Sequence, residues 1–350
     1  MKLSEKARNI LNNESFIENQ NNWMKRLENL FNGVPDPYLD DHVFILDGIE
    51  GHSSIDPYLN PEGYIIDCLE DLAKRVDETK KEYTFVPVCI SYMPYGVHFV
   101  DKLFGAEVFY KDDQWWSNLI KSPIGELSNP DLNSNEFFNL AKRACQAFLD
   151  QNVKLPFFGH PTIASVLNII INLYGEEILI AMLTEKEKTL HDLRIIQDTL
   201  LSLHRWYLNT VPNGNFQPVI PGHRTQPYNY GQICGCSTAL ISSGCYKEMI
   251  EPLDAELLGT YPNGGMIHLC GSHLQHIDSF RNMKQLRSVQ VNDRAAWDLE
   301  VYHKQLREDQ ILYLNPCKEM TVDMALKITG GHRLIVVGDQ KGFVFKQKVN

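Results

Sequence analysis

The residues best suited to chemistry in this 350-residue chain gather in its C-terminal half. In His268-Leu269-Cys270-Gly271-Ser272 an imidazole and a thiol stand two positions apart. Strand alternation turns residues at that spacing to one face, so both can aim at one centre. Imidazole nitrogen with thiolate sulfur is a zinc donor set, and Gly271 lets the backbone turn sharply beside a ligand. Cys234-Gly235-Cys236 repeats the spacing at the end of the preceding strand, and Cys317 follows another strand and the turn Asn315-Pro316. A catalytic zinc takes three protein ligands and keeps one position open, so five candidates exceed the need. His268, Cys270 and Cys317 form the first set, with Cys234 and Cys236 as alternative ligands. Cys68, Cys89 and Cys145 read as small buried hydrophobes, and Cys245 as an early helix residue.

Three further positions carry a weaker signal. His160, in Gly159-His160-Pro161-Thr162, follows a strand and faces a barrel mouth, or else caps a turn. Arg224 lies in the polar and aromatic loop Pro221 to Tyr230 and suits the anchoring of a carboxylate. Asp293, just past a strand ending at Val291, is placed to orient a ligand. His273, His276, His303 and His332 have no spacing partner and read as surface or helix residues.

These positions need elements to hold them. Strand-like Gly265 to Cys270, Leu286 to Val291, Gln310 to Leu314 and Arg333 to Val337 alternate with helix-like Ser272 to Phe280, Ala295 to Leu306 and Thr321 to Thr329. That rhythm predicts parallel β/α units. Further strands are expected at Val43 to Leu46, Thr84 to Ile90, Ala106 to Tyr110, Lys154 to Phe158 and Gln232 to Cys236. The sum of eight or nine fits an α/β fold built as a single (β/α)8 barrel, residues 36–350, with an N-terminal helical extension over 1–35. Asn60-Pro61 predicts a capped helix start, and Glu136 to Asp150 and Leu190 to Val211 read as helices. Lys111 to Asn135 has no clear period and reads as a lid or a surface loop. Function in such a barrel sits at the C-terminal strand ends, where the candidate ligands fall.

Composition narrows the classes. The chain carries 33 Lys+Arg against 44 Asp+Glu, a formal charge of −11, which argues against nonspecific nucleic-acid binding. Eight cysteines are too few for a disulfide scaffold at this length and suggest a reducing, cytoplasmic setting. The apolar stretch Ile163 to Leu183 contains Asn168, Asn172, Glu176 and Glu177, so it reads as a buried helix pair and not a membrane span. No glycine-rich dinucleotide or phosphate fingerprint is found.

Longer segments resemble the superfamily that joins uroporphyrinogen decarboxylase with the corrinoid-dependent methyltransferases. Leu240-Ile-Ser-Ser-Gly-Cys-Tyr-Lys-Glu-Met-Ile250 resembles the family's helix start. Gly265-Met-Ile-His-Leu-Cys-Gly-Ser272 follows at family spacing and resembles its His-x-Cys-Gly strand. Ile311-Leu-Tyr-Leu-Asn-Pro316 is similar to a later family strand, and Thr321 to Gly331 to the closing helix. The resemblance covers about residues 150 to 340 and implies a single (β/α)8 barrel. The decarboxylase branch holds a tetrapyrrole with clustered arginines, whereas Arg8, Arg26 and Arg75 stand far apart here. The aspartates usual before the helix start are replaced by Cys234 to Ser237.

The methyltransferase branch implies zinc held by the His-x-Cys pair, here His268 and Cys270, plus a later cysteine placed where Gly338-Asp339-Gln340-Lys341 stands. Cys317 comes one strand earlier, so either it or the Cys234/Cys236 pair would complete the set. The resemblance also implies a methyl donor in the form of a corrinoid on a partner protein, and a small thiol or related acceptor. The rival readings are a metal-free decarboxylase or lyase using Arg224 with His160 or Asp293, and a non-catalytic binding barrel.

Overall fold

The computed structural model describes residues 2–218 and 221–338. Twelve short strands are described, of which all but the exposed pair Val108–Lys111 and Gln114–Ser117 lie in parallel sheets and are largely buried, the pattern of a sheet covered by helices. In chain order they are β1 (Phe44–Leu46), β2 (Ile49–Glu50), β3 (Val88–Ser91), β4 (Val108–Lys111), β5 (Gln114–Ser117) and β6 (Phe157–Gly159). Then come β7 (Phe216–Gln217), β8 (Gly231–Cys234), β9 (Gly265–Leu269), β10 (Leu286–Val291), β11 (Ile311–Leu314) and β12 (Leu334–Val337).

One parallel sheet runs β1-β12-β11-β10-β9-β8, and a second runs β2-β3-β6-β7. Because β1 and β2 are consecutive in the chain, one segment joins the two sheets. Among the described residues no backbone ladder joins β7 to β8. Side chains span that seam: Gln217 Nε2 donates to Gln226 O at 2.9 Å, Gln226 N to Gln217 Oε1 at 3.0 Å, and Gln226 Nε2 to Gly231 O at 2.8 Å. The fold is therefore α/β with mostly parallel sheets.

The expected strand at Ala106 to Tyr110 does not enter these sheets. Val108–Lys111 pairs antiparallel with Gln114–Ser117 in a separate hairpin. Asp112 and Asp113 both take left-handed backbone at φ 53° and 57°, which closes the two-residue turn. The segment beyond Lys111 thus begins as a strand. Its Trp115 packs edge-on against Tyr95 at 5.5 Å and lies against Gly96.

The N-terminal helices belong to the core. Leu3, Ala7 and Leu11 join the main hydrophobic cluster. From helix Glu14–Asn32, Trp23, Met24, Leu27 and Phe31 pack with Phe44, Met266, Ile311 and Ile335 of the strands. Those strand residues sit in the N-terminal halves of their strands, so the helix covers the end opposite to His268 and Cys270. Asn60 caps helix Pro61–Arg75 as its sequence predicts, accepting from Gly63 N at 2.9 Å. The apolar stretch forms two helices, Val166–Tyr174 and Glu177–Thr184, bent by 112° at their junction. Among the described residues no single helix is long and apolar enough to cross a membrane.

Gly231 and Gly265 are register partners at the start of β8 and β9. A Cβ on Gly265 would stand 2.2 Å from Gly231 O, so only glycine allows this approach. Gly265→Ala is expected to cost about 1–3 kcal/mol through overpacking, read as a lowered urea midpoint. An unchanged midpoint would contradict the close approach.

Candidate metal centre

Strands β8 and β9 bring the candidate ligands together. They pair in parallel with Cys234 opposite His268, and Gly235 N donates to His268 O at 2.8 Å as the ladder ends. Beyond that point Cys236 faces Cys270, with their Sγ atoms 3.0 Å apart. His268 Nε2 lies 3.1 Å from Cys270 Sγ. The donor atoms of Cys236, His268 and Cys270 all lie within 4.8 Å of one another, the one such group of three among the described residues. Ligands around a tetrahedral zinc stand about 3.5–3.8 Å apart, so a small opening of this triangle would admit the ion. All eight cysteines are free thiols.

The surroundings fix the orientation of the imidazole. His268 Nδ1 donates to Gln290 Oε1 at 2.8 Å, and Gln290 Nε2 donates in turn to Asn315 Oδ1 at 2.8 Å. Fixing the proton on Nδ1 leaves the Nε2 lone pair facing the thiols. Gln290 is the register partner of His268 on β10. If the three donors hold zinc, Gln290→Leu is expected to weaken its binding about 10- to 100-fold. Competition titration against a chelator measures this, and an unaltered affinity would show that Gln290 does not orient the ligand.

Charge also favours thiolate here. The hydrogen bond from Cys236, with the Arg224 guanidinium adding to it, pulls the Cys270 thiol well below its ordinary range despite burial. Cys236 is pushed up by its hydrogen bonds with Cys234 and Cys270, by burial, and by the like charge its thiolate would place beside theirs. Arg224 Nη2 approaches His268 Nε2 at 3.4 Å. Burial lowers the guanidinium from its usual value while the three neighbouring thiols raise it. No carboxylate pairs with Arg224 among the described residues.

A cavity of about 300 Å³ opens onto this centre, lined by Arg224, Cys234, Cys236, His268 and Cys270 together with Asn168, Asn172 and Gln232. Val97, from the loop under the Trp115 hairpin, lines it too.

The other sequence candidates fall elsewhere. Cys317 lies outside the group of three, since the chain doubles back after Pro316 and Cys317 pairs with Met320 through two backbone hydrogen bonds. Cys234 touches the group through Cys236, at 3.7 Å between sulfurs. The family position for the later cysteine falls mostly outside the described residues, which end at Gly338. Asp293 is exposed, turned to solvent by its left-handed backbone at φ 47°. His273 and His276, read as surface or helix residues, are fully buried, His276 within the short helix Leu274–His276, and bind Thr238 at 2.9 Å and 2.8 Å.

His160 is buried behind the strand and away from the cavity, with Nδ1 on Pro161 O at 2.6 Å and its ring 5.2 Å from those of His204 and Tyr207. Burial holds it neutral, pushing it down to about 4. The unfolded chain protonates this group near its ordinary value of about 6.5, so stability is complete above that pH and declines as pH falls toward 4. Urea midpoints should drop over that window, and the drop should shrink in His160→Phe. An identical pH profile in the variant would exclude His160 as a source.

Gln290, Asn315, Asn168, Asn172 and Gln232 escaped the sequence reading. Gln290 had a usable signal: a polar residue in the apolar strand Leu286 to Val291, two positions from Ser288.

No known family model matches the sequence, and a search of curated proteins finds no relative. A solved structure described as a methyltransferase from Methanosarcina mazei is similar, with a TM-score of 0.61 over 90% of this chain and 92% of that one. The two are 10% identical. They share a fold.

Proposed function

We propose that the chain is a zinc-dependent methyltransferase that moves a methyl group between a corrinoid, carried on a partner protein, and a small thiol. The observation that carries this reading is the convergence of Cys236, His268 and Cys270 on one point beside a cavity. Three protein donors of sulfur and nitrogen suit a catalytic zinc, with the cavity side left for substrate. A zinc-bound thiol is deprotonated and becomes nucleophilic at neutral pH. The fold shared with a methyltransferase supports the same reading.

The chain's own residues have defined parts in it. Gln290 holds the proton on His268 Nδ1, and Asn315 holds Gln290. Arg224, free of any carboxylate among the described residues, offers its guanidinium to an acidic group on the acceptor. The cavity walls exclude water from the thiolate and strengthen every charge interaction inside.

The metal-free lyase reading needs His160 or Asp293 beside Arg224, and neither lines the cavity. The test is transfer from a free methylated corrinoid to a small thiol, followed by loss of the corrinoid's alkyl absorbance. The rate should require zinc. A rate unaffected by stripping the metal would overturn the proposal.

A further inference from the structure

Three amide side chains, Asn168, Asn172 and Gln232, line the cavity together with Arg224. Asn168 and Asn172 are four residues apart on helix Val166–Tyr174, so they share a face. Asn172 Nδ2 donates to Asp101 Oδ2 at 2.9 Å, which holds the amide by its nitrogen. Asn168 Nδ2 points to Cys234 Sγ at 3.7 Å, and its Oδ1 is buried without a partner. Gln232 is only 3% exposed, and its Oε1 likewise has no partner. A buried acceptor left unpaired is costly by about 1–3 kcal/mol, so a small turn of either side chain toward a ligand's donors recovers that cost.

We infer that the cavity selects a zwitterionic thiol, an amino-acid-like acceptor. Its ammonium group is received by the carbonyl oxygens of Gln232, Asn168 and Asn172, and its carboxylate is held by Arg224. The inference rests on the reading of the centre as a thiol-activating zinc site and adds the head group that the site recognises. Gln232 and Asn168 are then specificity residues, distinct in role from the ligands. A volume of about 300 Å³ suits a molecule of this size.

A matched series tests it. Calorimetry on the zinc-loaded protein compares L-cysteine, 3-mercaptopropionate (no amine) and 2-mercaptoethylamine (no acid). L-Cysteine is expected to bind at least about tenfold more tightly than 3-mercaptopropionate, the value of one good charge-assisted hydrogen bond. In Gln232→Leu that ratio should collapse toward one. In the isosteric Gln232→Glu, 2-mercaptoethylamine should gain affinity, which keeps the test decisive if the leucine variant misfolds. Equal affinity of L-cysteine and 3-mercaptopropionate, or a ratio unmoved in both variants, overturns the zwitterion inference alone. Absence of binding by all three thiols, or equal binding to metal-free protein, overturns the thiol-acceptor reading and this inference with it.

Discussion

Replacing Cys236 and Cys270 together by serine is expected to abolish stoichiometric zinc binding while leaving the fold intact. Two of three donors are lost, which should lower affinity on the order of a thousandfold or more. The fold should persist because both side chains are half-buried at strand ends and their sulfurs contact mainly each other and His268. Cys317→Ser should retain the metal, since Cys317 stands outside the converging group. Elemental analysis after dialysis, with circular dichroism as the folding control, reads both. One zinc per chain in the double variant would remove the centre from the account, and zinc loss in Cys317→Ser would reassign the third ligand.

The second large effect lies at the other end of the strands. Phe31 is 2% exposed and packs edge-on against Tyr230 at 5.0 Å and Tyr313 at 6.3 Å. With Trp23, which meets Phe44 at 5.7 Å and Phe85 at 6.0 Å, it seats the N-terminal helix under the strands. Phe31→Ala leaves a cavity in that cluster and should cost about 3–5 kcal/mol. Guanidinium unfolding measures it. Zinc content at low temperature should stay unchanged, because the helix covers the end opposite to the ligands. A loss below about 1 kcal/mol would mean that the helix is only appended to the strands.

What the sequence made legible follows from the strength of each local signal. Leu334–Val337 is an apolar, β-branched run and Leu286–Val291 carries Leu286, Val289 and Val291 among polar residues, and both appear as strands almost as read. Asn60-Pro61 carries a cap with a mechanism, and the helix starts there. Ile49–Glu50 and Phe216–Gln217 were missed, because two-residue strands leave no period to detect. Ala106 to Tyr110 has strand propensity, but propensity cannot say whether a strand joins a sheet or folds onto its neighbour.

In the candidate centre, alternation was enough to pair His268 with Cys270. That Cys236 stands beside this pair while Cys317 does not is left open by spacing alone. It depends on β8 lying beside β9 in a register that sets Cys234 against His268, a long-range fact. His273 and His276 misled for the same reason: burial comes from packing on Thr238, which spacing along the chain does not reveal.

The central claim is that Cys236, His268 and Cys270 hold one zinc. X-ray absorption at the zinc edge of the loaded protein tests it most directly, compared with the Cys236→Ser variant. The expected first shell is two sulfurs at about 2.3 Å and one imidazole nitrogen at about 2.0–2.1 Å, with a light atom in the fourth position. The variant should lose one sulfur. A sulfur count unchanged by the substitution, or a shell without imidazole, would contradict the account.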